Sequence, residues 1–161
     1  MIYLFSWVKH TVQLPSYDIH LLICLVNVLG IRMKIGIPRE SKVLEGRVSL
    51  VPTSCADLIR QGNEVYIETG AGLLSGYTDE EYQAQGVTIC ENAGLLYASA
   101  RLIVKVKEPI DEDLQYLRKE HILFCYLHLA ANLRLAQRLC DIGLTALAFE
   151  TVTRSEERRG G

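Results

Sequence analysis

From Lys34 onward the chain alternates short apolar runs with stretches of helical periodicity. Lys34–Ile37, Glu64–Glu68, Val87–Cys90, Leu102–Lys107, Ile122–Leu127 and Thr145–Glu150 are short, rich in strand-forming residues and bounded by turn formers, which predicts strands. The intervening segments Thr53–Gln61, Asp79–Gln85, Asn92–Ala100, Asp111–Leu117 and Leu133–Asp141 predict helices. Gly62, Gly86 and Gly143 stand just past three of them, and Thr78 is placed to cap another. Acid at Asp111–Asp113 suits the positive end of a helix dipole. Alternation of β and α at this spacing predicts an α/β fold: a parallel, doubly wound, Rossmann-like sheet with helices on both faces.

The two ends do not share this pattern. Leu21–Ile31 is an apolar run broken by Asn27, shorter than the roughly 20 apolar residues a bilayer span needs. Asp18 precedes it and no small-residue cleavage site follows it, so residues 1–32 are expected to be an extension outside the fold rather than a targeting signal. Residues 153–161 are wholly polar, and a solvated tail is expected there. Arg154–Arg159 also reads like translated adapter sequence, which suggests a gene read cut at that point.

Composition removes several classes of function. With 161 residues the chain suits one domain, and 49% hydrophobic residues with 22% charged is ordinary for a globular protein. A formal net charge of −2 provides no general field to recruit nucleic acid or an anionic membrane, so neither is an expected partner. The five cysteines are scattered, with no C-x-x-C pair and no Cys/His cluster. Free thiols in a reducing, cytoplasmic setting are expected, and no metal site.

Open parallel sheets collect ligands at the carboxyl ends of their strands. Arg47 falls in the connection after the first predicted strand, Lys107 ends the fourth, and His128 follows the fifth. Two cations and a titratable imidazole suit a small carboxylate that carries a neighbouring carbonyl or amine. Arg47 can grip the carboxylate through paired N–H bonds. Lys107 can bond the carboxylate or the carbonyl oxygen, and His128 can exchange a proton with that oxygen. Each residue also has a plainer account. A loop arginine is usually a solvated charge, Lys105 and Lys107 can protect an edge strand, and a histidine between Leu127 and Leu129 is usually a satisfied core residue. His10, His20 and His121 carry no signal of their own.

The glycine run Gly70-Ala71-Gly72-Leu73-Leu74-Ser75-Gly76 invites a dinucleotide reading. Its third glycine comes one residue late for G-x-G-x-x-G, and a new turn and cap follow at Tyr77-Thr78-Asp79, so it is expected to be a turn.

Several blocks in order resemble the alanine dehydrogenases. Ile37-Pro38-Arg39-Glu40 with Lys42, Glu45, Arg47-Val48, Leu50 and Pro52 is similar to that family's opening signature, which also opens, somewhat altered, the alpha subunit of proton-translocating nicotinamide transhydrogenase. Glu68-Thr69-Gly70-Ala71-Gly72 and Ser75–Asp79 resemble the next block, and Phe149-Glu150-Thr151-Val152 resembles the end of the first domain. Lys105-Val106-Lys107-Glu108-Pro109 and Tyr126-Leu127-His128-Leu129-Ala130-Ala131 resemble alanine dehydrogenase more than transhydrogenase. Gly46 departs from the pattern, since relatives often carry an aromatic or larger residue there, and Cys125 is expected to serve packing.

The resemblance implies that residues 33–152 form the N-terminal substrate domain of an enzyme interconverting L-alanine with pyruvate and ammonia, with NAD as cofactor. It implies that Arg47 and Lys107 bind substrate and that Lys107 and His128 take part in catalysis, His128 as acid/base. The nucleotide-binding domain, bearing the dinucleotide fingerprint and a further catalytic acid, is expected outside these residues. The parent enzyme is expected to be a homo-hexamer, and this chain to be inactive alone. Two other readings stay open: the start of a transhydrogenase alpha subunit, and a free-standing module that senses a small carboxylate. Downstream sequence separates the first from the leading reading, and micromolar pyruvate binding would mark the second.

Overall fold

A computed structural model describes residues 32–42 and 44–148. The expected extension up to residue 31, the polar tail and the Phe149–Val152 block lie outside the described residues. Six strands, β1 (Lys34–Ile37), β2 (Glu64–Glu68), β3 (Thr88–Cys90), β4 (Leu102–Val104), β5 (Ile122–Cys125) and β6 (Thr145–Ala148), form one sheet in the order β3-β2-β1-β4-β5-β6. Every neighbouring pair is parallel. Five helices connect them: α1 (Pro52–Arg60), α2 (Asp79–Ala84), α3 (Ala93–Ser99), α4 (Asp111–Leu114) and α5 (Leu133–Ile142).

Local chemistry accounts for these boundaries. Pro52 opens α1, where its missing N–H costs nothing and its fixed φ suits a helix. Thr78 and Glu81 form a capping box at α2. Asn92 and Asn132 cap α3 and α5 by accepting the N–H groups of Leu95 and Leu135, each at 3.0 Å. Gly143 ends α5 in the left-handed conformation at φ 78°, which a residue with a Cβ reaches only at a cost.

The sheet has a hydrophobic layer on each face, as a doubly wound fold requires. On one face Ile35, Ile37, Val65, Ile67, Val104 and Phe124 pack with Cys55 and Leu58 of α1 and Tyr82 of α2. On the other, Ile103, Leu123 and Cys125 pack with Leu96 and Tyr97 of α3, Leu114 of α4, and Leu135 and Leu139 of α5. Cys55, Cys90 and Cys125 are buried, as expected of small apolar residues, while Cys140 is exposed. Burial pushes the Cys55 thiol up to about 12, so it stays protonated.

Two strands are shorter than their sequence pattern. β4 stops at Val104 rather than at Lys107, because the Glu40 carboxylate takes the N–H groups of Val106 and Lys107 in place of a ladder partner. β5 stops at Cys125 rather than at Leu127, since the chain turns into the left-handed region at His128 (φ 48°). Nor is β4 an edge strand. It lies between β1 and β5, so Lys105 and Lys107 do not protect a sheet edge. α4 also ends early, at Leu114, where Tyr116 closes a turn onto the Asp113 carbonyl.

Candidate functional site

The strand order changes direction between β1 and β4, and the connections leaving these two strands diverge there to opposite faces of the sheet. In open parallel sheets a switch point of this kind leaves a crevice at the carboxyl edge, the usual ligand position. The segment after β1 crosses it. Ser49 donates to the Val104 carbonyl at 2.8 Å, and Glu40 accepts from Val106 at 2.7 Å and from Lys107 at 3.4 Å. Arg39 N–H is held by the buried Glu68 carboxylate at the end of β2, at 3.0 Å.

Arg47 lies on this crossing segment with an exposed side chain, locked to Glu45. Its Nε and Nη2 donate to the two Glu45 oxygens at 2.8 and 2.6 Å, and its own backbone N–H reaches Oε1 at 3.0 Å. That paired bond holds the Glu45 carboxyl down at about 2, with Lys107 adding to the effect. The guanidinium in turn is raised, first by the Glu45 bond and further by the nearby Tyr126 and Glu40. A guanidinium has five N–H donors, so the bond to Glu45 leaves its terminal edge to face a second carboxylate.

The glycine turn supports the same segment. Ser75 Oγ accepts from Val48 N–H at 2.9 Å and donates to the Gly46 carbonyl at 3.0 Å, bracketing Arg47. A Cβ at Gly46 would meet Leu74 Cβ at 3.4 Å, an ordinary contact, so the departure at Gly46 needs no special backbone. The turn itself is filled from within. Asp79 accepts from Gly70 N–H at 2.9 Å and from the Thr69 hydroxyl at 2.6 Å, where a phosphate-binding loop would keep its donors open. A Cβ at Gly72 would sit 2.6 Å from the Tyr82 ring and 2.9 Å from the Tyr77 carbonyl, so that glycine serves internal packing. This turn does not fit a dinucleotide pyrophosphate.

Across the crevice, Tyr126 N–H donates to the Val106 carbonyl at 3.2 Å, carrying the β4–β5 register past the strand ends. Continued by two residues, that register sets His128 beside Glu108, and His128 does lower the Glu108 carboxyl. Burial of Glu108 is the largest influence and works the other way, but Lys42, a backbone N–H and His128 together hold the carboxyl below its ordinary value. His128 is exposed rather than a core residue, and its ring stacks on Tyr126 with centroids 5.9 Å apart and planes 15° apart. Arg47, Lys107 and His128 thus lie on three segments at one edge, linked through Glu45, Tyr126 and Glu108. Lys107, expected to end the fourth strand, lies beyond the end of β4 at Val104, and His128, expected just after the fifth, lies beyond the end of β5 at Cys125.

His121, unremarkable by sequence, is the buried histidine. Its Nε2 donates to the Tyr97 carbonyl at 3.0 Å while Nδ1 accepts from Arg118 N–H at 3.0 Å, which fixes a neutral ring. Sequence reasoning assigned no role in the site to Glu40, Lys105 and Asp113. Lys105 is 1% exposed, its ammonium 3.5 Å from Glu40 and 3.4 Å from Asp113. The available signal was a charged residue directly following an apolar central strand. Among the described residues no group of three or more His, Cys, Asp or Glu is arranged to hold a metal ion. No helix there is long and apolar enough to cross a membrane.

These features define an α/β protein whose described residues bring Arg47, Lys107 and His128 to the carboxyl edge beside the β1–β4 switch point, next to a glycine turn closed by Asp79. The chain belongs to the alanine dehydrogenase/PNT N-terminal domain family, whose model matches residues 36–160. It is 47% identical over 121 residues to the alanine dehydrogenase of Bacillus subtilis, covering 75% of this chain and 32% of that protein. It is 44% identical over 120 residues to that of Mycobacterium tuberculosis, covering 74% of this chain and 32% of that protein. A solved L-alanine dehydrogenase superposes with a TM-score of 0.71 at 42% identity, over 73% of this chain and 32% of that one. A transhydrogenase from Sinorhizobium meliloti superposes with a TM-score of 0.69 at 29% identity, over 73% of this chain and 35% of that one. The chain spans about a third of the length of the curated relatives it matches.

Proposed function

We propose that this chain is the substrate-handling part of an NAD-linked L-alanine dehydrogenase, with Arg47, Lys107 and His128 as its working residues. The supporting observation is the carboxyl-edge cluster, in which Arg47 and Lys107 flank the switch point and His128 follows one strand on. The terminal edge of Arg47 holds the pyruvate carboxylate while Glu45 fixes the guanidinium from the other side. Lys107 bonds the carboxylate or the C2 oxygen and stabilises negative charge there. His128, held by its stack on Tyr126, exchanges a proton with the C2 oxygen as the carbonyl is converted to or from the amine. NAD supplies the redox chemistry when bound. The filled glycine turn argues that its phosphates are held outside these residues. Hexameric assembly and a cytoplasmic setting belong to the same proposal. The alanine dehydrogenase reading stands above the transhydrogenase one because the superposed structures are 42% and 29% identical respectively.

Pyruvate titration of the isotope-labelled chain, followed by magnetic resonance, tests this reading. Millimolar binding that shifts Arg47, Lys107 and His128, with no oxidation of NADH in the presence of pyruvate and ammonia, is the expected result. Shifts confined to other residues would overturn the site, and micromolar affinity would favour a free-standing sensor.

A further inference from the structure

The sequence Lys105-Val106-Lys107 places two like charges two residues apart, and the fold treats them in opposite ways. Lys105 is sealed inside, between Glu40 on the segment after β1 and Asp113 on α4. Lys107 is half-buried at the crevice, where its charge reaches Glu45. A buried set of one ammonium and two carboxylates is a poor source of stability, because desolvation offsets the attraction between them. Here the buried charges also hold backbone. The Glu40 side chain is 4% exposed, and its two oxygens accept the N–H groups of Val106 and Lys107 at 2.7 and 3.4 Å. Asp113 accepts the Ser41 hydroxyl at 3.0 Å, the Tyr97 hydroxyl at 3.3 Å and Ile110 N–H at 3.0 Å. The set therefore clamps both ends of the 105–110 connection and the segment after β1.

We propose that Glu40 and Lys105 are positioning residues for Lys107: Glu40 fixes the Lys107 backbone at the crevice, and Lys105 holds Glu40 in the charged, two-oxygen accepting state that this needs. The proposal rests on the reading of Lys107 as a substrate-binding residue. Lys105 itself, enclosed by its two carboxylates, does not reach the ligand. Burial alone raises the Glu40 carboxyl, and a protonated carboxyl would turn one oxygen from acceptor into donor. The ammonium of Lys105 counters that tendency.

Amide exchange in the full chain tests the brace without any ligand. Val106 and Lys107, although beyond β4, are expected to exchange as slowly as Phe124 inside β5; exchange at the rate of a free loop would overturn the proposal. Lys105→Met, which keeps the length and loses the charge, should speed exchange at those two amides while Ile35 and Phe124 keep their protection. In the same variant, and in Glu40→Gln, pyruvate affinity should fall about tenfold, the value of one well-placed charged hydrogen bond. Unchanged exchange at Val106 and Lys107 in Lys105→Met would remove Lys105 from the brace. Affinity lost only in proportion to unfolded chain would reduce both residues to a structural role. If Glu40→Gln fails to fold, the wild-type exchange and Lys105→Met still decide. Protected amides in a chain that pyruvate does not perturb would count against the substrate reading and leave the brace standing.

Discussion

Two connections leave the carboxyl edge on either side of β1: Thr69–Gly76 after β2 and Lys105–Ile110 after β4. Both follow buried strands and both are tied down by a carboxylate. In the first, Asp79 at the start of α2, just past the turn, occupies the Gly70 amide and the Thr69 hydroxyl, so those donors are closed to a ligand. In the second, Glu40 comes from across the switch point and takes two backbone N–H groups and the Lys105 ammonium, which leaves the Lys107 side chain outside the set. Position at a strand's carboxyl end is common to both. The difference lies in which groups each loop satisfies internally, and only the second keeps charge for a ligand. The glycine turn contributes indirectly, by holding the Arg47 segment through Ser75.

The sharpest break in this comparison comes from Asp113→Ala, which strips Lys105 of one carboxylate and unties Ser41, Tyr97 and Ile110. A loss of about 3 kcal/mol is expected in denaturant unfolding, the cost of leaving these donors without their acceptor, while Glu40 still balances the Lys105 charge. Lys107→Ala should do the reverse. It should leave stability within about 0.5 kcal/mol, as surface changes do, yet weaken pyruvate binding roughly 10–100-fold in a titration. Asp79→Ala should cost about 1–2 kcal/mol, with faster amide exchange at Gly70, and leave exchange at Val106 and Lys107 unchanged. Coupled loss at both loops would erase the distinction drawn between them.

The smallest effect concerns pH and lies away from the crevice. Burial lowers the His121 pKa below its ordinary 6.5, so the unfolded chain takes up a proton that the folded chain resists. Stability from this residue is full above the unfolded value and declines as pH falls from about 6.5 towards the lower folded value. His121→Gln should flatten that part of the stability–pH curve. An unchanged slope would mean another group sets it.

Much of the fold was legible because it rests on local signals. Thr78 and Gly143, read as a cap and a terminator, mark helix ends by chemistry confined to a few neighbouring residues, and Asn92 and Asn132 prove to be caps of the same local kind without having been singled out. The ends of β4 and β5 were less legible, since Val106 and Lys107 are drawn out of the ladder by a carboxylate 66 and 67 residues away. The roles of His121 and His128 ran opposite to their flanking sequence. Leu127 and Leu129 suggested burial for His128, but the left-handed turn at that residue carries its ring out to the edge.

The sequence by itself determined the α/β class, the order of elements and the three candidate residues, through periodicity, caps and family blocks. Only the tertiary structure decided that one lysine of Lys105-Val106-Lys107 is buried and the other is presented. The same holds for the glycine turn closing on Asp79 and for Arg47 being held by Glu45. The physical reason is that a charged side chain's partner depends on segments brought together across the sheet, and hydrophobic periodicity carries no information about that meeting.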